Sequence, residues 1–100
     1  AEVPEEDAVN ILNDYLQKRR GKNTSEGWFS DIKDISERYG YALKPKEYKK
    51  NPDMYRGHVG HVSTVQRLAL VGRSNSPDIG EIQDILGKEK VEERIREYLS

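Results

Sequence analysis

Residues 62–79 read Val62-Ser63-Thr64-Val65-Gln66-Arg67-Leu68-Ala69-Leu70-Val71-Gly72-Arg73-Ser74-Asn75-Ser76-Pro77-Asp78-Ile79. Val62, Val65, Leu68 and Ala69 recur at helical spacing, which predicts a helix of about eleven residues. Gly72 stops it, because a residue without Cβ takes the left-handed backbone of a helix end at little cost. A new start follows at once. Ser76 is a good N-cap, Pro77 suits a first helical position that needs no N–H, and Asp78 complements the helix dipole. Ile79, Ile82 and Leu86 then supply a buried stripe, and Gly87 ends the second helix. Two helices joined by a capped turn, with no period-two alternation in either, place the chain in the all-α class.

The rest of the chain extends this pattern. Pro4 and the acidic run Glu5, Glu6, Asp7 suit the positive end of a helix, and Ala8, Ile11, Leu12, Tyr15 and Leu16 carry its apolar face to about residue 19. Lys18, Arg19, Arg20 and Lys22 follow around Gly21, where cations meet the negative end of the dipole. Thr24 or Ser25 can cap a second helix in which Trp28, Ile32, Ile35 and Tyr39 repeat, with Phe29 alongside and Gly40 as the stop. An aromatic row at that spacing is more often core than a base-stacking platform, so Trp28 reads as a core anchor. Between residues 41 and 60, Pro45, Pro52, Gly57 and Gly60 leave room only for short turns over 45–50 and 52–56. A last helix starts near Lys88 and turns Val91, Ile95 and Tyr98 or Leu99 inward. The expectation is one compact helical domain over 1–100, with five to six helices.

Composition narrows what such a domain does. Hydrophobic residues make up 34% of the chain and charged residues 35%, which suits a helical domain with a thin core and a heavily solvated surface. Cys is absent, which removes disulfides and thiolate zinc sites and is compatible with a reducing cytoplasm. No apolar run reaches the roughly 18 residues of a membrane helix, so no membrane partner is expected. His58 and His61 are the only histidines and fall short of a zinc ligand set, so no metal site is expected. No phosphate loop or nucleophile elbow occurs, and the adjacent Glu92 and Glu93 point apart on a helix, so no catalytic residue is assigned. The net charge of -1 hides an asymmetry: residues 41–73 hold seven Lys and Arg against two Asp and Glu, while the flanking thirds are acidic. Within that basic third, Lys46, Lys49 and Lys50, interleaved with Tyr41, Tyr48 and Tyr55, are candidates for phosphate contact.

The run from Val65 through Ile79, followed by Glu81-Ile82 and by Ile85-Leu86-Gly87-Lys88-Glu89-Lys90-Val91, resembles the closing segment of bacterial glutamyl-tRNA synthetases. The family pattern there is an Arg-Val-Ala-Leu-Thr-Gly-Arg helix end, a Ser/Thr-Pro turn, then Leu-Gly-Lys-Glu-Arg-Val. Leu68, Val71 and Asp78 depart from its usual Val, Thr and Gly. The resemblance implies an anticodon-binding domain of the class I synthetase type, cut from a longer chain whose Rossmann domain activates glutamate with ATP and magnesium. Neither class I signature, HIGH or KMSKS, can be read here, so this stretch alone should not aminoacylate and should need no cofactor.

Carried over by residue, the resemblance makes Arg67 an anticodon contact and Ser76, Pro77 and Ile79 the turn against which anticodon bases lie. Arg73 joins the three lysines as a candidate phosphate contact. The chemistry is suitable: unpaired bases are read by planar guanidinium groups, by free amides at a helix start and by apolar shelves. The implied partners are the anticodon loop of the tRNA for glutamate and the rest of the same synthetase chain, in a cytoplasmic monomer. The competing reading is a helical protein-interaction module with no RNA role, in which the basic middle only balances acidic ends.

Overall fold

Six helices form among the described residues of the computed structural model, which are 3–73, 76 and 78–100. They are α1 (Glu5–Lys18), α2 (Trp28–Arg38), α3 (Pro45–Lys50), α4 (Val59–Val71), α5 (Ile79–Leu86) and α6 (Lys88–Leu99). Helices α1 and α4 pack on each other, both touch α2 and α6, and α5 joins the bundle through α6. Their apolar stripes meet in one core of Ile11, Leu12 and Tyr15 from α1, Ile32 and Ile35 from α2, Val62, Val65 and Leu70 from α4, Ile79 from α5, and Val91 and Ile95 from α6. Burying each such side chain contributes on the order of 1.5–3 kcal/mol, so it is the shared core rather than helix propensity that holds six short helices together. The radius of gyration of 13.0 Å equals that of an ordinary compact domain of this length.

Helix starts are where expectation and structure part. Neither Thr24 nor Ser25 caps α2; Gly27 precedes it at φ 80°, a conformation that favours glycine. Ser25 is engaged elsewhere, its amide and hydroxyl both donating to Asp84 of α5 at 2.8 Å. Ser76 does not cap α5 either. Asp78 does, accepting from the Gly80 amide at 2.7 Å, and its charge also meets the positive end of the helix. Pro77 lies outside the described residues.

Helix α4 is longer than its apolar spacing predicts, because Gly60 is inside its first turn and not a breaker. Two histidines make this start. His58 Nδ1 accepts from the Gly60 amide and His61 Nδ1 accepts from the His58 amide, each at 3.0 Å. Before it, a turn forms at 52–54 as expected, whereas 45–50, expected as a turn, closes into the short helix α3, and Ala42 and His58 pair in an isolated parallel bridge. Bonds of 2.9 Å from the Arg56 amide to the Gly40 carbonyl, from Ala42 to Gly57 and from Val59 to Ala42 strap this connection to the bundle.

Candidate nucleic-acid interface

Which cations remain available to a polyanion depends on which are consumed within the fold. Arg19, expected at a wet helix end, is buried: it bonds Asp31 at 3.0 Å and the Glu26 carbonyl at 3.0 Å, and its other nitrogen donates to the Thr24 carbonyl. Lys22 reaches the same carboxylate at 3.1 Å. Burial works to raise the Asp31 pKa, but the Arg19 and Lys22 bonds outweigh it and hold the carboxyl below the usual range. Lys18 pairs with Asp34, Arg38 with Asp14, and Arg56 with Asp7 at 2.7 Å. The Tyr41 hydroxyl donates to that same Asp7 at 2.9 Å.

Arg56 apart, the middle of the chain keeps most of its charge free of ion pairs among the described residues. Lys46, Lys49 and Lys50 are exposed and make no ion pair among the described residues. Their i, i+3, i+4 spacing puts them on one face of α3. Tyr48 anchors that helix, its ring 5.8 Å from His58 and 5.9 Å from His61. Burial lowers the pKa of both histidines, and for His61 the neighbouring His58 lowers it further. Neutral rings with Nδ1 as acceptor therefore serve as caps, and among the described residues no three His, Cys, Asp or Glu gather to hold a metal.

Arg67 sits half-buried on α4, and its Nε is shielded from water with no hydrogen-bond partner. A sequestered guanidinium nitrogen without an acceptor is costly unless a ligand supplies one. Arg73 is exposed just beyond Gly72, which closes α4 at φ 72°. The end of α4 is served instead by Arg94 of α6, which donates to the Leu70 carbonyl at 2.7 Å. Arg73 is thus not needed there. Ser76 is half-buried two residues before the Asp78 cap.

Ile79 calls for a correction. Only 1% exposed, it belongs to the core and fixes the start of α5 from beneath, so it offers no apolar shelf to a base. The lysines of α3 and Arg73 also do not form one patch: α3 is pinned at the first turn of α4 and Arg73 follows its last, about 18 Å away by helical rise.

One surface feature escaped the periodicity. Trp28 is half-buried, with Nε1 against the first turn of α5; a Cβ at Gly80 would lie 2.7 Å from it and 3.1 Å from Asp78 Oδ1. Phe29, beside it, is 42% exposed. A helical wheel puts Phe29 off the Trp28, Ile32, Ile35 stripe, and that offset was the available signal.

Residues 56–99 match the family described as an anticodon binding domain. The glutamate–tRNA ligase of Acetivibrio thermocellus is 58% identical over 97 residues, which is 97% of this chain and 18% of the relative. Those of Clostridium perfringens and Sorangium cellulosum are each 39% identical, over 95% and 97% of this chain and 17% of each relative. The chain thus spans under a fifth of the length of the ligases it matches. No solved structure matches it. The family match falls on α4 to α6, and nearly the whole chain aligns with one stretch of the glutamate–tRNA ligases, so the chain is similar to an anticodon binding domain over 56–99 and to those ligases over 97 residues.

Proposed function

We propose that this chain recognises the anticodon loop of the tRNA for glutamate as one domain of a glutamate–tRNA ligase, and that the whole ligase joins glutamate to that tRNA at the expense of ATP. The observation that carries the reading is Arg67, a half-buried guanidinium on α4, within the residues 56–99 that match the anticodon binding domain family. A guanidinium that is only half-buried can present its outer edge to an unpaired base or a phosphate. Ser76 and Pro77, preceding α5, and the exposed Arg73 complete the contact surface, while Lys46, Lys49 and Lys50 offer a separate track for phosphates farther along the stem. Ile79 supports that surface from the core.

Glutamate activation, with its ATP and magnesium, falls to the rest of the ligase chain, and this domain supplies positioning and selectivity for the tRNA. The whole acts as a cytoplasmic monomer; no helix among the described residues is long and apolar enough to cross a membrane. The test is Arg67→Ala in the full-length protein. The expected result is a KM for tRNA raised by the loss of about 1–3 kcal/mol, with the KM values for glutamate and ATP unchanged. Equal charging by mutant and wild type removes Arg67 from the interface, and absence of RNA binding at low salt returns the domain to the protein-interaction reading.

A further inference from the structure

Phe29 is one of five large hydrophobic side chains exposed among the described residues, the others being Val9, Met54, Ile85 and Tyr98. It alone of these is tied to the start of α5. Its ring meets the Trp28 indole edge-on at 5.4 Å between centroids, and that indole rests against Gly80 beside the Asp78 cap. Lys33, one turn along α2, holds its ammonium 5.5 Å from the centre of the Phe29 ring. Lys33 makes no ion pair among the described residues, although Asp34 and Glu37 are near in sequence. The ring is thus held by an edge-to-face contact with Trp28 and by the Lys33 ammonium over one face, yet is 42% exposed, which leaves its other side to solvent.

We propose that Phe29 and Lys33 form a stacking shelf for an unpaired base of the bound RNA, joined through Trp28 to the start of α5. An aromatic face accepts any base without hydrogen-bond matching, and an adjacent ammonium neutralises that nucleotide's phosphate. Trp28 acts as a positioning residue, wedged between the shelf and the α5 start, where Gly80 leaves room for it. The shelf supplies the apolar surface that buried Ile79 does not. This inference rests on the anticodon-loop reading above, and its test separates the two.

In the full-length protein, binding of the anticodon stem-loop of the glutamate tRNA is measured by titration over a range of salt, alongside thermal stability. Phe29→Ala should weaken binding by about 5- to 100-fold with the melting temperature unchanged, and Phe29→Tyr should restore it while Phe29→Leu should not. Lys33→Gln should lower the slope of log K against log salt by about 0.7, the contribution of one single-strand phosphate contact. Unchanged binding in Phe29→Ala beside a loss in Arg67→Ala overturns the shelf and leaves the anticodon reading standing. Restoration by Phe29→Leu as fully as by Phe29→Tyr also overturns it, since a mere apolar contact would then suffice. No binding by the wild type at low salt overturns both.

Discussion

Lys18, Arg19 and Lys22 near the end of α1 and the cations of α3 and the end of α4 look alike in the sequence and differ in the structure. Arg19 and Lys22 converge on Asp31, and Lys18 is paired with Asp34. Lys46, Lys49, Lys50 and Arg73 have no such partners among the described residues, and Arg67 keeps a shielded Nε unbonded. A basic cluster is therefore not a binding surface by composition. Ion pairing turns the first into a structural clamp, and the lack of it among the described residues leaves the second free to meet phosphate.

The largest effect that would break this comparison is on stability. Asp31→Ala leaves the Arg19 guanidinium, whose side chain is only 9% exposed, without its counter-charge. It should cost roughly 3–5 kcal/mol in denaturant unfolding, as expected for half of a buried pair. RNA affinity under conditions where the variant stays folded should not change; a loss there would assign Arg19 to the interface instead.

Next comes Gly80→Ala, which sharpens the link between α2 and α5. The new Cβ would sit 2.7 Å from Trp28 Nε1, so the indole must move. A loss of about 1–3 kcal/mol in stability is expected, as for other overpacked sites. A neutral result would mean that Trp28 is not wedged against α5.

The two regions should also separate along pH. His58 and His61 titrate below the ordinary histidine value in the folded chain, so the unfolded chain takes up protons first as pH falls. Their contribution is complete above about pH 6.5 and is lost progressively below it. Asp31 is shifted down as well, but its contribution is complete above about pH 4 and is lost only as pH falls through its lowered pKa. Melting temperatures should therefore fall in two stages on acidification, and replacing both histidines with Asn should remove the first. A single stage near pH 4 in the wild type would deny the histidines their capping role.

The smallest expected effect belongs to α3. Replacing Lys46, Lys49 or Lys50 singly with Gln should leave stability unchanged and reduce the salt slope of RNA binding by no more than about 0.7 each. Slopes identical to wild type in all three would confine the interface to the far end of α4.

Much of the scaffold could be read from spacing. Ile11, Leu12 and Tyr15, then Ile32 and Ile35, then Val62 and Val65 recur at helical intervals, and all are buried. Gly40 and Gly72, taken as stops, do carry the positive φ that ends their helices. Caps were harder, because several competent residues stand within three positions of each start and the winner depends on distant partners. Ser25 is drawn off by Asp84, 59 residues away, and Asp78 wins over Ser76 with a charge as well as an acceptor. The histidine pair at α4 makes a capping box from residue types that do not signal one in the sequence. For the interface, the resemblance singled out Arg67 and the turn, but periodicity alone made Trp28 and Phe29 look like one aromatic row.

By itself, then, the sequence determined that the chain is all-helical, where most helices stop and which family it resembles, because these follow from local spacing and from residue identity. Tertiary structure alone decided which charges are spent within the fold, that Ile79 is hidden and that Phe29 is not. Those outcomes depend on what lies across the bundle from each side chain, and burial and ion pairing join residues that no local pattern connects.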